Sequence, residues 1–170
     1  LYDVEYRTVG KEDGRVRWVA AKGRGLFDEA GNCVRVAGTA VDITARLKAE
    51  DALQASEARY RALFEAIDAG VCVVEVDPDA FGGRADYRVV EANPAFYTHT
   101  GFDRGVFGKW LREAVPELEE RWFETYAHVA RTGEAVRFEQ GSDHLGRWFD
   151  VHAFPTGSRD RNRVAILFND

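Results

Sequence analysis

The chain has 170 residues, 45% of them hydrophobic and 31% charged, with 23 Lys+Arg against 29 Asp+Glu and a net charge of -6. That supplies a core for one large domain, or for one domain and part of another, and the acidic balance argues against nucleic-acid binding through a general basic field. No apolar run approaches the ~20 residues that span a bilayer, no signal-peptide pattern opens the chain, and Cys33 and Cys72 cannot make a disulfide framework or, alone, a structural zinc site. These features point to a cytoplasmic segment with no membrane contact. Leu1 is not an initiator and the chain has no Met, so it reads as an internal segment of a longer protein.

Residues 1–44 consist of extended runs broken by turns. Val4 to Val9 alternates apolar and polar, Val16 to Ala20 follows, and Cys33 to Ala37 comes third. Lys11-Glu12-Asp13-Gly14 and Asp28-Glu29-Ala30-Gly31-Asn32 have the residues of hairpin connections, with Gly supplying a positive φ. The expectation is a three-stranded antiparallel meander, which buries one face poorly by itself.

Over residues 45–67 the period changes. Ala49, Leu53, Ser56, Tyr60, Leu63 and Ile67 recur at alternating spacings of 4 and 3, a heptad-like stripe on one helix face. No Pro or Gly interrupts from Ala45 to Ala69, and Asp42 or Thr44 can serve as N-cap. Two readings follow: a helix packed on its own domain, or a connector that pairs with its twin in a parallel homodimer.

Residues 68–170 read as a complete α+β unit. Gly70 to Val76 and Tyr87 to Ala92 are strands, separated by a loop with Pro78 and Gly82-Gly83. Asn93-Pro94 starts a short helix that Gly101 closes. A longer helix is expected from Pro116 to just before Gly133, with Leu118, Trp122, Tyr126 and Val129 on its apolar face. Strands at Ala135–Gln140, Arg147–Phe154 and Arg163–Phe168 complete the unit. The acidic run Glu117, Glu119, Glu120 and Glu124 sits where a helix dipole favours carboxylates.

The last three strands repeat the first three. Gly14-Arg15 before a Trp-containing strand matches Gly146-Arg147-Trp148, and Asp42 matches Asp170. The copies differ in length, a difference expected in the loop between the two final strands. Repeats define the structural unit: residues 1–44 would be the back half of a domain that residues 68–170 contain in full.

Here the chain resembles a known family, the tandem PAS sensor domains of bacterial signalling proteins. Glu5-Tyr6-Arg7 through Val41-Asp42-Ile43-Thr44 looks like the C-terminal PAS-associated motif. Ser56-Glu57-Ala58-Arg59-Tyr60-Arg61-Ala62-Leu63-Phe64 is similar to the connector between PAS domains, and Glu91-Ala92-Asn93-Pro94-Ala95-Phe96 with Thr100-Gly101-Phe102 resembles the first-helix signature. The resemblance implies a five-stranded antiparallel sheet with helices on one face, around a small-ligand pocket or a packed core. It implies a sensor histidine kinase of a two-component system as the parent, or less often a cyclic-dinucleotide enzyme or a transcriptional regulator.

Cofactor chemistry finds little support in the residues. Light-sensing relatives carry Asn-Cys beside a flavin, and Gly31-Asn32-Cys33 has that pair, but after a hairpin turn and at the start of a strand. The comparable stretch of the complete domain, Gly108-Lys109-Trp110-Leu111, has no Cys. Cys72 reads as a small buried hydrophobe. Haem-binding relatives place a His on the long helix; the implied position lies nearer Thr125 than His128, and His128 points away from the apolar face. His99, His144 and His152 show no ligand spacing. Flavin, haem and metal are therefore not expected.

No Gly-x-Ser-x-Gly or phosphate-binding Gly-rich loop is present, so this segment reads as non-catalytic, with any kinase domains elsewhere in the chain. The candidate ligand pocket is drawn from Phe96, Tyr97, Trp110, Tyr126, Phe138, Phe149 and His152, since ligand sites are mostly apolar with a few orienting polar groups. The expected function is a sensory module that relays binding of a ligand or partner through connector helices. A ligand-free dimerisation spacer is the alternative.

Overall fold

In the computed structural model, which describes residues 1–156 and 162–170, glycines in left-handed conformation mark the hairpins, among them Gly14 (φ +64°) and Gly31 (φ +84°). Between them lie β1 (Tyr2–Val9), β2 (Val16–Phe27) and β3 (Cys33–Asp42), an antiparallel sheet in the order β1-β2-β3. The register places Tyr2, Val4 and Tyr6 opposite Gly23, Ala21 and Val19. Alternation then puts these residues on one face and Asp3, Glu5, Arg7 and Lys22 on the other. Tyr2, Val4, Tyr6 and Val36 are exposed.

Helix α1 (Thr44–Ala66) starts where Asp42 Oδ1 accepts the Thr44 N–H at 2.9 Å. The Thr44 hydroxyl accepts the Trp18 N–H at 2.8 Å, tying the helix start to β2. No residue of α1 is buried. The chain divides into two compact units, Leu1–Tyr60 and Arg61–Asp170.

In the second unit β4 (Gly70–Phe81) and β5 (Arg84–Ala92) meet at Gly82-Gly83. β4 thus continues past Val76, where the sequence suggested a loop. An irregular register between Asp77 and Phe81 accommodates Pro78. Then follow α2 (Pro94–Thr100), a 3-10 turn (Arg104–Val106), α3 (Leu111–Ala114), α4 (Glu120–Thr132), β6 (Val136–Ser142), β7 (Arg147–Pro155) and β8 (Arg163–Asn169). The five strands are ordered β5-β4-β8-β7-β6 with every neighbouring pair antiparallel. The helices pack on one face, over Cys72, Val74, Val89, Phe149, Val151, Ile166 and Phe168.

The long helix begins at Glu120, not at Pro116. Glu119 keeps an extended conformation (φ -66°, ψ 140°), and its carboxylate is engaged with Trp122 Nε1, the Ser142 hydroxyl and the His144 N–H. Glu120 pairs with Arg112 and Arg84. These carboxylates are therefore structural through specific partners rather than through the helix dipole alone.

The sheets also refine the repeat. Val19 pairs with Asp42 in the first and Asp150 with Asn169 in the second, which continues to place Phe149 opposite Asp170. Arg17-Trp18-Val19 thus corresponds to Arg147-Trp148-Phe149, so Arg17, not Arg15, is the counterpart of Arg147. The loop expected to absorb the length difference contains 157–161, which lie outside the described residues.

Candidate ligand cavity

Strand alternation aims one set of side chains at the helices. β4 offers Cys72 and Val74, β5 Tyr87 and Val89, β7 Phe149 and Val151, and β8 Ile166 and Phe168. The helical side contributes Phe96, Thr100 and Phe102, then Leu111, Leu118, Trp122 and Tyr126, and Leu145 comes from the β6–β7 hairpin. Together they line a cavity of about 50 Å³ that opens to solvent. None of the described lining residues is charged. Burial pushes the Cys72 thiol far up, so it remains a neutral thiol.

Around this cavity the polar groups are structural. Asp86 is 1% exposed; burial pushes its carboxyl up, against the N–H groups of Tyr87 and Arg112 that it accepts. Arg112 lies over the Phe123 ring at 4.0 Å and donates to the Ala85 carbonyl at 2.7 Å. For Glu119, burial acts upward, but N–H groups of its own turn and of His144, the Ser142 hydroxyl and the Trp122 indole outweigh it and hold the carboxyl at about 2.

Two side chains tie the ends of the unit to its helices. Asn93, fully buried, caps α2 by accepting the Phe96 N–H at 2.9 Å. It also accepts the Val71 N–H and donates to the Ala69 and Ile67 carbonyls. His99, in the last turn of α2, places Nε2 2.7 Å from the Asp68 carbonyl and Nδ1 3.1 Å from Asp170 Oδ1. Asp170 is also paired with Arg147.

The residues expected from sequence to form a pocket fall into two groups. Phe96, Tyr126 and Phe149 line the cavity. Tyr97 lies behind Phe96, with the Arg104 guanidinium 5.1 Å from its ring. Phe138 backs Trp122 at 6.0 Å. Trp110 bridges to Arg88, whose guanidinium sits 5.2 Å from the indole. His152 is exposed and stacks on Phe154. Tyr87, Phe102, Trp122 and Phe168 are the cavity's aromatic additions; the alternation Ala85, Tyr87, Val89 along β5 is the signal for the first. His128 is exposed, and among the described residues no group of three or more His, Cys, Asp or Glu side chains is placed to hold a metal. No helix among the described residues is long and apolar enough to cross a membrane.

Comparison with known proteins agrees with this architecture. Residues 58–136 match the model of the PAS domain, and residues 1–40 match a second model described as the PAS fold. The α+β fold of five antiparallel strands with helices is a PAS fold, and residues 58–136 carry the sequence match to the PAS domain. Among solved structures it is similar to an RNA-binding light-oxygen-voltage receptor, with 12% identity and a TM-score of 0.49, covering 99% of this chain and 76% of that one. It is also similar to a variant of RsLOV (18% identity, TM-score 0.44, 64% of each chain). A third likeness is to the LOV protein of Rhodobacter sphaeroides (17% identity, TM-score 0.44, 68% of this chain and 66% of that one). No curated protein matches the chain.

Proposed function

We propose that this chain is a non-catalytic sensory module of a cytoplasmic bacterial signalling protein, a sensor histidine kinase whose catalytic domains lie outside residues 1–170. In this reading residues 68–170 are a complete PAS domain, 45–67 a connector helix, and 1–44 the C-terminal half of a preceding PAS domain. The observation that carries the sensory role is the uncharged cavity between sheet and helices. The shared Arg-Trp register of the two sheets and the match of residues 1–40 to the PAS fold support the tandem assignment.

A small molecule in the cavity would favour one packing of the helices on the sheet. It can shift that equilibrium only by its difference in affinity for the two packings, and about 1–3 kcal/mol is the usual coupling range. Asn93 and His99 link the helical side to the unit's entry and exit, which gives the shift a route to flanking segments. The occupant is taken to be neither flavin nor haem: Cys72, the cavity's cysteine, lies on a strand, and none of the described lining residues is a histidine. Thermal unfolding across a panel of metabolites, with flavin mononucleotide and haem included, tests this. The expected result is a saturable rise with a small organic molecule. A coloured flavin or haem complex would overturn the cofactor reading, and no shift with any compound would overturn the sensory one.

The second reading is a ligand-free dimerisation spacer. It is favoured by the α1 stripe, on which Leu53, Tyr60 and Leu63 are 60%, 53% and 61% exposed. A stable homodimer with no thermal response to the panel would select it.

A further inference from the structure

Two polar atoms of the cavity are left unanswered by the packing. Tyr87 on β5 and Tyr126 on α4 are 7% and 5% exposed, and both line the cavity. Their rings meet edge to face at 5.1 Å, so sheet and helix deliver the pair to one place. Neither hydroxyl hydrogen-bonds to a described residue. Nor is either sealed: among the described residues the side-chain atoms sealed without a partner are Arg88 Nε and Arg163 Nε.

Because both hydroxyls open on the cavity, each keeps a hydrogen bond to offer to an occupant, which Phe at either position would lack while keeping the ring. Burial pushes both phenols well above their ordinary range, so both stay protonated and able to donate. The uncharged lining offers nothing to neutralise a carboxylate or an ammonium, and an unpaired buried charge is strongly unfavourable. The cavity volume of about 50 Å³ has room for about four waters, which suits a compact ligand.

We propose that the cavity takes a compact, uncharged, mostly apolar molecule whose oxygen acceptor, a carbonyl or an ether, is hydrogen-bonded by the hydroxyls of Tyr87 and Tyr126. The proposal rests on the cavity being a ligand site, and it adds the chemical class and the two orienting groups.

The test titrates the 170-residue chain with cyclohexanone, methylcyclohexane and cyclohexanecarboxylate, following backbone amide shifts of cavity-lining residues. Tyr87→Phe and Tyr126→Phe are compared with the unaltered protein for each probe. At least one variant is expected to weaken cyclohexanone about fivefold to tenfold, the loss of a hydrogen bond, while methylcyclohexane changes less than about twofold and so reports that the cavity is intact. Equal cyclohexanone affinity in all three proteins would overturn the role of the hydroxyls and leave the cavity reading standing. Carboxylate binding as tight as the ketone's would overturn the uncharged class. No saturable shift at the lining with any probe would overturn this proposal and the cavity reading together.

Discussion

Arg147 donates to the carboxylate of Asp170 across β7 and β8, in the place where Arg17 meets Asp42 at 3.9 Å in the other sheet. Asp42 ends β3 and Asp170 directly follows β8, and each meets an arginine of the neighbouring strand. Arg147, and secondarily His99, keep the Asp170 carboxyl below its ordinary value. A depressed carboxylate contributes stability that is present above its unfolded pKa and lost as pH falls through the folded one. Amide exchange at the end of β8 is therefore expected to accelerate as pH drops below about 4, after correction for intrinsic rates. In Asp170→Asn this extra acceleration should disappear; an unchanged profile would show that the pair does not hold the strand end.

Asn93 concentrates four hydrogen bonds in one buried amide. Asn93→Ala removes the helix cap and strands the Val71 and Phe96 N–H groups. The loss of a cap costs about 1 kcal/mol and buried unpaired groups add to it, so a destabilisation of about 3 kcal/mol is expected by urea denaturation. A value below about 1 kcal/mol would mean that the entry segment is not fastened through this residue.

Glu119 gives the account a second acid-sensitive contact. Its carboxyl, held at about 2 against an ordinary 4.5, contributes stability that is complete above the ordinary value and fades as pH falls from there toward 2. Discounted for solvent screening, the contribution is about 1–2 kcal/mol. Glu119→Gln should be less stable than the unaltered chain by that amount at pH 7, and the gap should close by pH 2. A gap independent of pH would assign the effect to packing.

The α1 stripe carries a prediction about assembly. Burying a Leu stabilises by about 1.5–3 kcal/mol, and Leu53 is 60% exposed within one chain. If the stripe pairs with a second copy, Leu53→Glu should weaken the dimer at least about tenfold by sedimentation equilibrium. A dimer of unaltered strength would place the interface elsewhere.

Local chemistry made much of this architecture readable in advance. Asn93-Pro94 and Gly101 marked both ends of α2, where the structure puts a side-chain cap and a left-handed glycine. Strand parity was equally readable, and it argues against His152 as a cavity residue: Val151 and Ala153 point inward, so the residue between them faces out. Trp110 depended on a nonlocal event, its bridge to Arg88 on β5, which no periodicity encodes. Pro116 is a good first helical residue and points to an earlier start of α4, whereas Glu119 finds its partners on β6 and the hairpin beyond it.

The central claim is that occupancy of the cavity is felt at the ends of the unit. Hydrogen–deuterium exchange of the 170-residue chain, with and without saturating cyclohexanone, measures it directly. The account predicts altered exchange at the lining strands and also over 67–71 and 168–170, the segments fastened by Asn93 and His99. Protection confined to the lining, with both end segments unchanged, would contradict it.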